Sequence, residues 1–260
     1  MLKGKCALIT GSVAGLGYAI AEALAAAGCN IVLNGIVPPE SAAAARDSLA
    51  QKSDVGVLYE EADIGDPVQI ERLIANAVEK FGAIDIVVNN AVVRHFCRVE
   101  NLTPAQWNES LAVNLSAPFH IIRLTLPTMR KRRWGRIFNL SSYYGFRGGK
   151  ERIGYVTTKT ALLGMTRAVA LENADMDITC NAICPGTLAT PDIMRRIRKK
   201  AASESVSEAE AIRRYLAGRQ PDDRFIEVEN VAAMIAFLCG PAGSDVTGAA
   251  LPVDGGWLAM

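Results

Sequence analysis

Short, nearly continuous apolar runs alternate with longer stretches of helical period along almost the whole chain. The runs fall at residues 6–10, 30–34, 55–60, 84–89, 136–140, 178–183 and 250–253. Between them, helical patterns occupy 16–27, 67–81, 104–129, 155–173 and 229–239. A strand that is apolar at successive positions is buried on both faces. Alternation of such strands with helices predicts a parallel sheet covered on both sides. The expected fold class is therefore α/β, a doubly wound parallel sheet in a single domain. A charged, helix-prone stretch at about 190–223 interrupts the alternation. It reads as a small helical lid inserted over the carboxyl edge of the sheet, mobile over 195–218.

Composition narrows the partners. Half of the 260 residues are hydrophobic and 21% are charged, which is ordinary for a globular domain. The net charge of +1 suggests neither nucleic acid nor an anionic membrane surface as a partner. No apolar run reaches the ~18 residues of a spanning helix. The chain enters a strand pattern at Lys5-Cys6-Ala7-Leu8, which leaves no room for a secretory leader. The six cysteines are scattered in mostly apolar contexts and read as reduced thiols of a cytoplasmic protein. Cys180 and Cys184 have no nearby histidine, and no metal is expected.

Chemistry is concentrated in two segments. Thr10-Gly11-Ser12-Val13-Ala14-Gly15-Leu16-Gly17 follows the first strand and opens the first helix. Glycines let the backbone turn tightly and approach a pyrophosphate, while the helix N-terminus offers free N–H groups and a positive dipole end. In a strand–turn–helix setting this predicts the nucleotide site of a Rossmann fold. Further on, Tyr155 and Lys159 are four apart and share one helix face. An ammonium beside a phenol favours the phenolate, which suits an acid or base working near neutral pH. Ser142 lies thirteen residues before Tyr155, at the end of an apolar strand, where its hydroxyl can face a cleft.

The Gly-x-x-x-Gly-x-Gly spacing, Asn89-Asn90-Ala91, Asn114, Ser142, Tyr155, Lys159 and Pro185-Gly186 together resemble the short-chain dehydrogenases/reductases. The resemblance runs in order from about Leu2 to Asp254-Gly255-Gly256. It implies that Tyr155 is the acid/base, that Lys159 lowers its pKa and binds the nicotinamide ribose, and that Ser142 holds the substrate oxygen. It further implies that Asn114 holds a relay water and that the protein is a homotetramer. For the cofactor it implies contacts from Gly11, Ser12, Gly15, Leu16, Gly17, Asn34, Asp63, Ile64, Asn90, Ala91, Pro185, Gly186, Thr187 and Thr190. Val92 departs from the glycine usual after Asn-Asn-Ala. No acid stands at Asn34-Gly35-Ile36, and no basic residue there or in the glycine loop meets a 2′-phosphate, which favours NAD.

Several segments are similar to the bacterial D-3-hydroxybutyrate dehydrogenase branch, among them Trp134-Gly135-Arg136-Ile137 and the stretch from Ile178 to Gly186. The pocket positions differ. Where that branch has Gln, His, Lys, Gln and Trp, this chain has Arg94, Tyr144, Arg152, Arg195 or Arg196, and Thr187. Arg152 substitutes a planar fork suited to bidentate anions for an ammonium. The expectation is an anionic secondary alcohol, a 3-hydroxy acid such as 3-hydroxybutyrate or a relative. Two other readings stay open. One is a reductase for a neutral ketone, sugar alcohol or acyl thioester, with Arg130-Lys131-Arg132-Arg133 as a docking patch. The other is a nucleotide-sensing regulatory protein.

Overall fold

The computed structural model describes residues 2–260. Seven strands form one sheet: β1 (Cys6–Ile9), β2 (Asn30–Gly35), β3 (Val57–Glu61), β4 (Ile86–Asn89), β5 (Trp134–Leu140), β6 (Asp177–Pro185) and β7 (Ala250–Val253). Their order is β3-β2-β1-β4-β5-β6-β7, and every pairing is parallel. All carboxyl ends therefore lie along one edge. The winding reverses at β1, whose neighbours are β2 and β4, and a crevice opens there.

Alternate residues of each strand feed two cores. Ala7, Ile9, Ile31 and Leu33 pack against α1 (Gly15–Ala26) and α9 (Val228–Cys239). Cys6, Leu8 and Val32 face the other way, onto α3 (Pro67–Phe81) and α5 (Ala117–Arg132). A helix at Pro39–Lys52, α2, was not expected. Its alanine run carries no apolar stripe, and only Ala42 and Leu49 are buried.

The single helix expected over 104–129 is three pieces. α4 (Pro104–Leu111) runs into a π-helical turn at Ala112–Ser116 and then into α5. Pro118 explains the break. It has no N–H to give the carbonyl of Asn114 four residues back, so the ladder is interrupted there. The helix that carries Tyr155 and Lys159, α6, spans Ile153–Leu171, so Tyr155 sits in its first turn. The 190–223 stretch forms two helices, α7 (Pro191–Glu204) and α8 (Glu208–Leu216). They enclose a small core of their own around Ile197, Ala201 and Ala211.

Candidate active site

Six strand ends build the site. β1 continues into Gly11, β2 into Ile36 and Val37, β3 into Ala62 and Asp63, β4 into Asn90 and Ala91, β5 into Ser141 and Ser142, and β6 into Gly186. A cleft of about 540 Å³ runs along this edge, from Gly35–Val37 at one end to Ser142, Tyr155 and Lys159 at the other. A smaller chamber of about 90 Å³ adjoins it, sharing Arg94, Ser142, Tyr155, Gly186, Leu188 and Thr190.

The glycine loop is clamped from below. Gly11 and Gly15 both adopt φ of +60°, a left-handed conformation that an L side chain strains. A Cβ on Gly17 would stand 2.4 Å from the Gly11 carbonyl oxygen and 2.7 Å from Asn90 Nδ2. Asn90 itself donates to the carbonyls of Thr10 and Gly11, each at 2.9 Å. The result is a flat backbone surface at a helix N-terminus, with room for a pyrophosphate. Asp63, Ile64, Ala91, Pro185 and Thr190 also border this cleft, as expected.

Other expected contacts are reassigned. Ser12 is fully buried; its hydroxyl donates to the Ile9 carbonyl at 2.7 Å and accepts from the Asn34 N–H at 3.0 Å. It ties β1 to β2 and does not border the cleft. The Asn34 amide is likewise used internally, donating to the carbonyls of Glu60 (3.2 Å) and Ala62 (3.0 Å). Its side chain therefore knits the sheet, while the residue still borders the cleft beside Gly35 and Ile36, as expected. Thr187 borders the inner chamber and not the cleft, and Arg196, unlike Arg195, borders the chamber.

The Asn114 amide is also committed, donating to the Val93 carbonyl at 3.0 Å and accepting from the Val93 N–H at 2.9 Å. Pro118 deprives its backbone carbonyl of the ordinary helical donor. Sequence reasoning missed the chamber residues Phe96, Ile193, Tyr215 and Arg219. They lie in irregular segments and on the α7–α8 pair, with no fixed motif nearby to give their register.

Tyr155 and Lys159 form a buried, charge-coupled centre. Lys159 Nζ donates to the Leu140 carbonyl at 2.5 Å and lies 5.6 Å from the centre of the Tyr155 ring. Burial pushes the ammonium down to about 8; the phenolate opposes this and Arg94 reinforces it. For Tyr155, burial alone favours the neutral phenol. The charges of Arg94 and Lys159, with hydrogen bonds from Ser142 and Arg94, outweigh it and hold the phenol below its ordinary range. Arg94 stands 5.2 Å from the Tyr155 ring centre. Ser142 Oγ also accepts the Tyr144 N–H at 3.2 Å, so its one proton is directed at the Tyr155 oxygen, on the wall of the chamber. Such a set can take a proton from an alcohol beside a nucleotide-binding cleft.

A family model described as enoyl-(acyl carrier protein) reductase matches residues 11–258. The chain belongs to the short-chain dehydrogenase/reductase family. This family uses nicotinamide cofactors. A D-beta-hydroxybutyrate dehydrogenase of Rhizobium meliloti is 40% identical over 98% of this chain and 99% of its own length. The enzyme of that name from Cupriavidus necator is 38% identical over the full length of both chains. Among solved structures, the L-sorbose reductase of Gluconobacter frateurii, complexed with NADPH and L-sorbose, superposes with a TM-score of 0.95. It is 29% identical, with 100% of this chain and 98% of that one covered.

Proposed function

We propose that this oxidoreductase moves a hydride between NAD and an anionic secondary alcohol of the 3-hydroxy acid kind. The observation that carries this reading is the inner chamber, where Arg94 and Arg152 border the same space as Ser142 and Tyr155. Arg152 lies 4.7 Å from the Phe96 ring centre and 5.2 Å from that of Tyr144. Its planar fork is thereby supported for bidentate contact with a carboxylate. The D-beta-hydroxybutyrate dehydrogenase relatives support the substrate class.

NAD is favoured over its phosphorylated form because no basic side chain borders the adenosine end of the cleft. The cations lining the cleft, Arg94 and Lys159, lie at the tyrosine end. The NADPH in the sorbose reductase belongs to that protein. Docking by an acyl carrier is disfavoured, because the basic run is tied to its neighbours. Arg130 Nε donates to Asn173 Oδ1 at 2.7 Å, Arg132 pairs with Asp85 at 3.1 Å, and Arg133 donates to the Asp175 carbonyl at 3.1 Å.

When bound, the nicotinamide ring supplies the hydride acceptor. In oxidation, Tyr155 Oη takes the hydroxyl proton, helped by the nearby charges of Lys159 and Arg94. Ser142 Oγ donates to the substrate oxygen and holds it against the phenol. Lys159 returns the proton toward solvent through water at the Asn114 carbonyl. Arg152 fixes the carboxylate and so aligns the carbinol carbon.

A panel of hydroxy acids and neutral secondary alcohols, each with NAD and NADP, tests this reading. Arg152→Met should lower kcat/KM for the preferred hydroxy acid by about 10- to 100-fold, the loss expected for one charge-assisted contact. Preference for neutral alcohols, unmoved by that substitution, would overturn the proposal. Arg94→Met should shift the ascending limb of kcat/KM for oxidation to higher pH. The sign follows because the phenol loses a charge that holds its pKa down, so the active phenolate forms only in more alkaline solution. Arg94→Lys should bring the limb partly back. A limb that stays in place in the Met variant removes Arg94 from proton handling.

A further inference from the structure

The inner chamber gathers more positive charge than a single carboxylate uses. Arg94, Arg152 and Arg219 all border it, and no acidic side chain does so among the described residues. They come from three separate elements: the segment after β4, the residue capping α6, and the turn after α8. Each guanidinium lies against an aromatic ring, with Arg219 over Tyr215 at 4.2 Å. Among the described residues, none of the three is paired with a carboxylate.

The outer surface of the same helix pair behaves differently. There Arg198 holds Glu208 at 3.2 Å, and Arg214 holds Glu210 at 2.8 Å. Arg198, Arg213 and Arg214 meet glutamates where they face solvent, and Arg219 borders the chamber without one among the described residues. Like charges gathered around a volume of about 90 Å³ repel one another, and an occupant of opposite charge relieves that repulsion. Arg94 is engaged with the Tyr155 phenol. One carboxylate then satisfies one planar fork in the bidentate mode and leaves the other of Arg152 and Arg219 unmatched.

We propose that the substrate is a short secondary alcohol bearing two anionic groups, and that Arg219 is the specificity residue for the second. This rests on the anionic-alcohol reading above and deepens it. A hydroxy dicarboxylate and a hydroxy acid carrying phosphate share this chemistry. Arg94 stands where the chamber meets the cofactor cleft, and Arg152 and Arg219 line the chamber beyond.

The test compares kcat/KM of the full chain with NAD on four acids, the chiral ones as racemates. They are 3-hydroxybutyrate; malate, which replaces its methyl group with a carboxylate; 3-hydroxyglutarate; and 3-phosphoglycerate, which separates the phosphate source from the dicarboxylates. At least one dianion should be preferred over 3-hydroxybutyrate by about tenfold or more, the size of one charge-assisted contact. Arg219→Met should carry that ratio most of the way to unity, and Arg219→Lys should restore part of it. NADH binding reports whether each variant is folded, and the Lys variant serves if the Met variant is not.

Preference for 3-hydroxybutyrate over every dianion, lost in Arg152→Met, would sink this inference and leave the proposed function standing. Turnover of neutral alcohols alone would overturn both. A ratio unmoved by Arg219→Met would remove Arg219 from specificity.

Discussion

Tyr155→Phe is expected to lose about 10²- to 10⁴-fold in kcat, the range for removal of a positioned acid/base. NADH binding should survive, because the hydroxyl is the only group removed and the glycine cradle is untouched. The phenol oxygen is where three influences converge. Arg94 and Lys159 supply positive charge, and Ser142 supplies a hydrogen bond, against the opposing effect of burial. No other titratable side chain stands in the same place: the neighbouring Tyr143 is pushed far up by burial and held neutral. Its ring stacks on Trp257, with centres 3.5 Å apart, so it cannot stand in for Tyr155. Steady-state rates and an NADH titration on the same preparation check both halves. Turnover near that of the unsubstituted chain would remove Tyr155 from the chemistry.

Gly17→Ala should damage cofactor binding and stability together. The added methyl would sit 2.4 Å from the Gly11 carbonyl oxygen and 2.9 Å from the Ser12 Cα, and both are backbone atoms. Neither can swing aside as a flexible side chain does. Overpacking of this kind costs about 1–3 kcal/mol. Relief requires α1 to lift away from the loop, which displaces the N–H groups that face the phosphates. NADH affinity should fall about tenfold or more for a cradle held this tightly, and the melting temperature should drop by several degrees. Gly15→Ala is the informative contrast. Nothing lies within 4 Å of its Cβ position, so only its φ of +60° opposes substitution. Full NADH affinity and an unchanged melting temperature in Gly17→Ala would show that the loop does not depend on this contact.

The sheet was legible because its strands are buried on both faces, so their apolar runs are nearly unbroken. The cofactor loop was legible because its glycines are needed by backbone geometry, and backbone requirements fix spacing in the chain. Helix α2 was not legible, since alanines satisfy helix and core without making a stripe. The break at Ala112–Ser116 had a visible cause in Pro118, but the amphipathic pattern on either side outweighed it. Ser12 looks like a ligand residue in one dimension. In three it holds neighbouring strands together, because the end of β1 lies beside the end of β2 and buried polar groups there must be satisfied.

The sequence by itself determined the doubly wound sheet, the nucleotide cradle and the Ser142–Tyr155–Lys159 set. Each depends on local periodicity, or on short spacings between residues near one another in the chain. Only the tertiary structure decided which arginines share a chamber. Arg94, Arg152 and Arg219 are separated by 58 and 67 residues of sequence. They meet because parallel winding brings the carboxyl ends of the strands to one edge, and the α7–α8 pair brings Arg219 to the same place. Charge convergence of that kind has no period and no motif, so it appears only when the chain is folded.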